Sequence, residues 1–335
     1  MEEADRNYGQ EGAVTYRTRQ DWNTFPKSYT GVNATQEMAD ILNKDTLGDG
    51  TYEMYEKPAG APGKSAFTVG APVTIKFIEM KGVAYDDDEK WNAFLDQLTV
   101  AQLAAMTKDM RGISATASIG FPGIGETDGP DGAGGIQYVG ESVAAATFSP
   151  EILADRGNLM GEEALFNSLS AQWSPGGNIH RTPFSGRNYE YSSEDSFLSG
   201  TMSGAMTQVA ASKGLNAVPK HMALNDQETN RDANGGVATY CREQAIREIY
   251  LRPFEDALTE GKAMGVMSAM NRIGSVRCRS NYALNINVLR GEWGYEGFVI
   301  TDYNVISTSE SEACLAGGCN LQLTGMANPL PDTSS

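Results

Sequence analysis

Short apolar runs set the architecture of this chain. NAVP (216–219), AMGVMSAM (263–270), GFVI (297–300) and NLQL (320–323) stand between segments with helical periodicity. Polar residues follow several of these runs directly. Lys220 and His221 come after NAVP, Asn271 and Arg272 after GVMSAM, and Asp302 after GFVIT; earlier, Asp128 follows IGFPGIGET. Strand–helix units repeated over roughly 250 residues predict an α/β fold, a (β/α)8 TIM-type barrel of parallel strands. In such a barrel the C-terminal strand ends carry the chemistry, and the polar clusters fall there.

The segments between the runs supply the helices. DDDEKWNAFLDQL (86–98) reads as a helix, and Thr99 with Gln102 forms a capping box that opens a second one, with Leu103, Met106 and Met110 along one face. Ser149-Pro150 starts another, serine as cap and proline in the first turn. CREQAIREIYLRPFEDALTEG (241–261) is the clearest helix, with Ile246, Ile249, Tyr250 and Leu258 on its inner side. Upstream, PVTIKF (72–77) alternates Val73, Ile75 and Phe77 with polar residues and predicts a half-buried strand.

Residues 1–68 are polar, lack apolar periodicity and close on KPAGAPGKSA, so they read as an extended lead-in before a barrel over 69–335. GAPGKS (60–65) lacks the earlier glycine of a phosphate loop. Asn33-Ala34-Thr35 is a glycosylation sequon by pattern alone.

Charge and cysteine content exclude several classes. A net charge of −17 would be repelled by a phosphate backbone or an anionic membrane surface, so neither nucleic acid nor membrane is expected as a partner. No apolar run approaches the roughly 18 residues of a membrane span. Cys241, Cys278, Cys314 and Cys319 form no CxxC pair and have no histidine beside them, which argues against zinc and against a disulfide framework. No metal or other cofactor is expected. MEEADRNYGQEG at the start is acidic and does not read as a signal peptide; a cytoplasmic location and export through a preceding segment both stay open.

The candidate residues each have a bland reading too. Asp302 is either a helix cap for the segment beginning near Ser307 or a nucleophile or base, because a carboxylate at the end of a buried strand is costly unless paired or used. Lys220 and His221 are neighbours, so both face one site only at an irregular strand end. KHMALNDQETNR (220–231) packs donors and acceptors densely, and its Asp226, Glu228 and Arg231 are read as bracing one another. In GRNYEYSSEDS (186–196) a helix N-terminus explains Glu194 and Asp195, and the planar fork of Arg187 suits adjacent hydroxyls or carboxylates. TDGPDG (127–132) is a turn, where aspartate is common for conformational reasons.

Taken together, TDGPDG, NIHRTPFSGRNYEYSSEDS, KHMALNDQETNR, MSAMNRIGS and LRGEWGYEGFVITDYN resemble, in order and across about 85–325, glycoside hydrolase family 3, the β-glucosidase and β-xylosidase group. The resemblance implies a retaining β-glycosidase in which Asp302 is the nucleophile and Asp128, Arg187, Lys220 and His221 hold sugar hydroxyls. The pocket would also be lined by Met270, where the family commonly has tyrosine, and Tyr303, where it usually has tryptophan; both departures alter the pocket surface. Retention needs a second carboxyl roughly 5 Å from the first. In most of the family it comes from a separate α/β sandwich domain, and no residue of this chain matches it. GAVTYRTRQDWNTFP resembles the lead-in of members whose sandwich domain precedes the barrel, so the acid/base is expected from a domain or chain absent here. Two other readings remain: a sugar-binding barrel with little turnover, and Schiff-base chemistry at Lys220, against which its polar neighbours argue.

Overall fold

A computed structural model describes residues 35–37, 39–40, 59–60, 63–109, 111–132, 136–231, 236–303 and 308–323. Most of the lead-in, Asn33 of the sequon, Met110, Ser307 and the tail MANPLPDTSS lie outside the described residues.

The strands are β1 (Lys108–Asp109), β2 (Gly112–Ile113), β3 (Ile124–Asp128), β4 (Ala171–Trp173), β5 (Asn216–Ala217), β6 (Ala238–Thr239), β7 (Gly265–Ser268), β8 (Arg272–Ile273), β9 (Val276–Arg277), β10 (Phe298–Thr301) and β11 (Gln322–Leu323). The helices are α1 (Asp88–Leu95), α2 (Val100–Met106), α3 (Glu141–Ala145), α4 (Pro150–Phe166), α5 (Ser196–Ser212), α6 (Glu243–Ala245), α7 (Arg252–Thr259) and α8 (Thr308–Ala316). A π-helical stretch, Ile246–Leu251, joins α6 to α7, and a second, Ala283–Glu292, precedes β10.

Parallel pairing dominates. β3 pairs β4 with Asp128 opposite Trp173, β4 pairs β5, β7 pairs β10 with Ser268 opposite Thr301, and β1 pairs β11. Isolated bridges, Met222 to Ser268 and Ile300 to Leu321, link the stretch after β5 to β7, and β10 to β11. Each parallel step is crossed by helical chain, as parallel neighbours require. The ladders themselves fall into separate short sheets, so the α/β class is established as alternating helices and parallel strands, not as one closed sheet.

The apolar runs are continuous because both faces of the strands are covered. Val266 of β7 and Val299 of β10 pack on one face with Leu251, Phe254 and Leu289 of the helical segments. Their neighbours Met267 and Ile300 pack the other way, with Trp173, Val218, Leu321 and Leu323. Each such side chain, removed from water, contributes about 1.5–3 kcal/mol. Leu153 and Met160 of α4 meet Met202 and Met206 of α5 in a further cluster.

Local expectations fare unevenly. The capping box stands: Gln102 N–H donates to Thr99 Oγ1 at 3.3 Å, and Thr99 N–H to Gln102 Oε1 at 2.9 Å. Asp195 caps α5 by accepting from Leu198 N–H at 2.7 Å. Pro150 occupies the first turn of α4, but the Ser149 hydroxyl donates to the Glu151 carboxylate and makes no backbone cap. PVTIKF is not a strand. It has no partner strand among the described residues; the Gln97 amide oxygen takes the N–H groups of Thr74 and Ile75 at 2.5 and 2.7 Å, and Phe77 opens a 3₁₀ turn. Ile249 is exposed and not on the inner side, because the π-helical stretch changes the helical phase on which that expectation rested.

Candidate functional site

Parallel strands put their C-terminal ends on one side, and there the polar residues gather. Asp302 follows β10, and its N–H donates to Ser268 O at 3.1 Å, continuing the pairing with β7. Asp128 is the last residue of β3. Its turn depends on Gly129, whose φ of +140° suits glycine and whose missing Cβ would overlap the Gly132 carbonyl. Lys220 and His221 follow β5 where the backbone is irregular: the peptide bond between them is cis, and both side chains enter one network.

That network has two lobes. In the first, Lys220 Nζ lies 2.5 Å from Asp128 Oδ1 and 3.6 Å from Glu190 Oε2. Arg187 grips Glu190 with two hydrogen bonds, Nε to Oε1 at 2.9 Å and a terminal nitrogen to Oε2 at 2.6 Å. Burial pushes the Glu190 carboxyl up, but the Arg187 hydrogen bond and the Lys220 and Arg187 charges outweigh it and hold it below the ordinary range. The fork of Arg187 is thus turned onto a protein carboxylate.

In the second lobe, Asp302 Oδ2 receives Arg231 at 3.1 Å and lies 3.5 Å from His221 Nε2, while Oδ1 accepts from Tyr303 N–H at 2.7 Å. Burial raises the pKa of Asp302; the Arg231 charge, the Tyr303 N–H and the more distant Arg187 and Lys220 charges pull against it without reversing it. His221 is held neutral, first by burial, then by the Arg187, Lys220 and Arg231 charges, so its contact with Asp302 is between a neutral ring and a carboxylate. Arg231 Nε also bonds Glu228 Oε2 at 3.0 Å, and Glu228 reaches Arg187 at 3.8 Å, closing one lobe onto the other.

Five of the seven residues singled out from sequence, Asp128, Arg187, Lys220, His221 and Asp302, are therefore brought into one ionic cluster. Tyr303 enters it through its backbone, and its ring is 56 % exposed. Met270 is buried two residues past β7. Asn271 and Arg272 fasten loops, donating to Ala223 O at 3.0 Å and Gly236 O at 3.2 Å.

The mutual bracing of Asp226, Glu228 and Arg231 needs correcting. Asp226 turns away to Arg181 at 3.1 Å, and Arg231 does more than brace Glu228, since it touches Asp302. Its signal was its place in the dense stretch 220–231; the missing information was how that loop returns to β10. Glu190, Tyr191 and Asn225 also belong to the network, and their local sequence carries no signal of it.

The family model described as the glycosyl hydrolase family 3 N-terminal domain matches residues 96–326. A β-glucosidase of Ruminococcus albus is 37 % identical over 191 residues, 55 % of this chain and 20 % of that protein. β-Glucosidase B of Emericella nidulans is 35 % identical over 215 residues, 62 % of this chain and 25 % of that protein. Among solved structures, β-glucosidase 3B of Thermotoga neapolitana in complex with α-D-glucose superposes with a TM-score of 0.65 at 33 % identity, covering 71 % of this chain and 37 % of that one. A β-glucosidase of Paenibacillus barengoltzii gives 0.65 at 29 % identity, covering 79 % and 31 %. The chain thus spans a fifth to a quarter of these curated relatives.

Proposed function

The chain belongs to glycosyl hydrolase family 3, and from that premise we propose that it is the barrel part of a retaining β-glycosidase, β-glucosidase-like, with Asp302 as nucleophile. The parallel strand order, the bridges between sheets and the superposition on β-glucosidases support reading 69–335 as a TIM-type barrel, with 1–68 as its lead-in. One observation carries the proposal. A buried carboxylate at a strand end is pinned by a cation and a backbone N–H, and the histidine beside it leads directly to a lysine–aspartate pair suited to sugar hydroxyls.

In this reading an Asp302 oxygen attacks the anomeric carbon, the glycosidic C–O bond breaks, and the leaving group departs with the bonding electrons. Water then releases the sugar with retention. Asp128, Lys220, His221 and Arg187 hold hydroxyls and so place the anomeric carbon within reach, which lowers the entropic barrier. Met270 and Tyr303 shape the pocket. Arg231 stabilises the attacking carboxylate. Glu228, which shares Arg231 with Asp302, has both oxygens taken, one by Arg231 at 3.0 Å and one by an Asn225 amide N–H at 3.1 Å. In this reading the proton donor comes from a separate domain or chain.

A fluorinated β-glucoside with an activated phenolate leaving group tests this without the proton donor, since that group departs unprotonated. Intact mass should rise by one fluoroglucosyl unit, and Asp302→Ala should abolish the adduct. An adduct that persists in Asp302→Ala would remove the assignment. Saturable sugar binding with no adduct in the parent protein would favour a sugar-binding barrel instead.

A further inference from the structure

The Asp302 lobe closes into a ring of side chains, and one member has no role yet. From Asp302 Oδ2 the circuit runs to Arg231, from Arg231 Nε to Glu228, and from Glu228 Oε1 to Asn225 Nδ2 at 3.1 Å. Asn225 Nδ2 also reaches the Tyr191 hydroxyl at 3.3 Å, and that hydroxyl lies 3.2 Å from His221 Nδ1. His221 Nε2 then returns to the same Asp302 oxygen at 3.5 Å.

Hydrogen positions around this ring follow from its fixed ends. Glu228 is a carboxylate held by Arg231, so it only accepts. Asn225 must therefore present its NH2 to Glu228; the flipped amide would set oxygen against oxygen. The second N–H of that NH2 serves the Tyr191 oxygen, whose own proton remains to be placed. Tyr191 is buried, and burial, the leading effect on its hydroxyl, pushes the pKa up, so the proton stays on. No other acceptor for it stands among the described residues, which leaves His221 Nδ1. A neutral imidazole that accepts at Nδ1 carries its proton at Nε2. The opposite tautomer would aim a lone pair at Asp302 Oδ2. The Asn178 side chain holds the His221 backbone, donating to its carbonyl at 2.9 Å and accepting from its N–H at 2.8 Å, and the ring itself is buried, edge-on to Tyr191.

We propose that Tyr191 is a positioning residue: its hydroxyl fixes His221 as the Nε2–H tautomer, so that the imidazole presents a donor in the site, to the Asp302 carboxylate in the free protein and to a sugar hydroxyl when one is bound beside it. Asn225 sets the direction of the Tyr191 proton, and Glu228 sets that of Asn225. The tautomer is a property of the protein alone; its value to the reaction rests on the reading of Asp302 as nucleophile.

The sequence makes the test direct, because it holds only His180 and His221. Long-range nitrogen–proton correlation spectra of histidine-labelled protein, with His180→Gln removing the other set of signals, report each His221 nitrogen separately. At neutral pH, Nε2 should appear protonated and Nδ1 bare. In Tyr191→Phe the two shifts should draw together as the tautomers mix, and adduct formation on Asp302 should slow about tenfold, the worth of one hydrogen bond. A proton on Nδ1 in the parent protein, or an unchanged His221 pattern in Tyr191→Phe, overturns the proposal. The parent spectrum stands even where Tyr191→Phe does not fold, and Asn225→Asp, which offers the Tyr191 proton a carboxylate, should release the tautomer by a second route. If no adduct forms although His221 is Nε2–H, the glycosidase reading fails while the tautomer assignment survives.

Discussion

The rim around Asp302 and the corner around Glu141 solve the same problem in opposite ways. Each holds a buried carboxyl, and in each burial is the leading cause of a raised pKa. At Asp302 a guanidinium touches the carboxylate at 3.1 Å, two more cations stand near, and a backbone N–H donates to the other oxygen. At Glu141 the nearest cation, Arg156, is committed elsewhere: to Val139 O at 2.7 Å, to Pro130 O, and to Asp131 at 3.5 Å. Glu141 keeps one close backbone donor, Gly176 N–H at 3.0 Å, while the nearby charges of Asp131 and Glu190 push it further up, and its pKa reaches about 8. At Asp302 the cations and the N–H oppose the rise, whereas Glu141 is a neutral hydrogen-bonding group at pH 7. Burial acts on both carboxyls alike; what differs is whether a cation is in contact to favour the ionised form.

Removing Arg231 should break this contrast most severely. Arg231→Gln leaves a buried charge without its partner, which costs about 3–5 kcal/mol. Adduct formation on Asp302 should fall by roughly two to three orders of magnitude. The pH dependence carries the sharper signature. Asp302 must be ionised to attack and its pKa lies above the ordinary 3.8, so the rate in the parent protein should drop as pH falls through a value above 3.8. In Arg231→Gln that acid limb should move to higher pH. An unmoved limb would mean that Arg231 does not support the carboxylate.

Glu141→Gln should have the next largest effect, and on stability, not rate. A carboxyl whose folded pKa is raised contributes its full stability below the unfolded value near 4.5 and loses it as pH rises through the folded value. Between 4.5 and about 8 the folded protein keeps a proton that the unfolded chain releases. This one group should therefore lower stability by about 1.4 kcal/mol per pH unit inside that window. Glutamine keeps an oxygen for the Gly176 N–H and carries no charge. Urea midpoints measured from pH 5 to pH 8 should fall less steeply for Glu141→Gln than for the parent, and parallel slopes would place Glu141 among the ionised groups.

Sequence reached one of these regions and not the other, for physical reasons. Asp302, Asp128 and the Lys220–His221 pair stand out because they interrupt runs that are apolar on both strand faces, and such interruptions need a purpose. Arg231 lies in the same dense stretch as Lys220, but its reach to Asp302 depends on a loop fold that spacing does not encode. Tyr191 meets His221, and Asn225 meets Tyr191, only in three dimensions. Glu141 opens a helix, where an acid is ordinarily a solvated partner of the helix dipole, and nothing in GESVAA announces its burial. PVTIKF has the period of a strand, but a strand needs a neighbour, and the Gln97 amide took that place.

The finest test of the contrast is Asp131→Asn. Asp131 is one of the two charges that raise Glu141, and it also holds Arg156 at 3.5 Å. Neutralising it removes a like charge and loosens the hold on a cation that acts on Glu141, so both changes should lower the Glu141 pKa. The window in which stability falls should then close at a lower pH, leaving the variant's midpoint flatter near pH 8. The loss of the Arg156–Asp131 pair, partly exposed on the aspartate side, works against this by about 0–1 kcal/mol at every pH where Asp131 is charged. The double variant with Glu141→Gln separates the two effects. If Asp131 acts through Glu141, its influence on the slope near pH 8 should vanish there while its pH-independent cost remains. If the slope change persists in the double variant, another group carries it, and Glu141 is not the carboxyl that makes this corner differ from the rim.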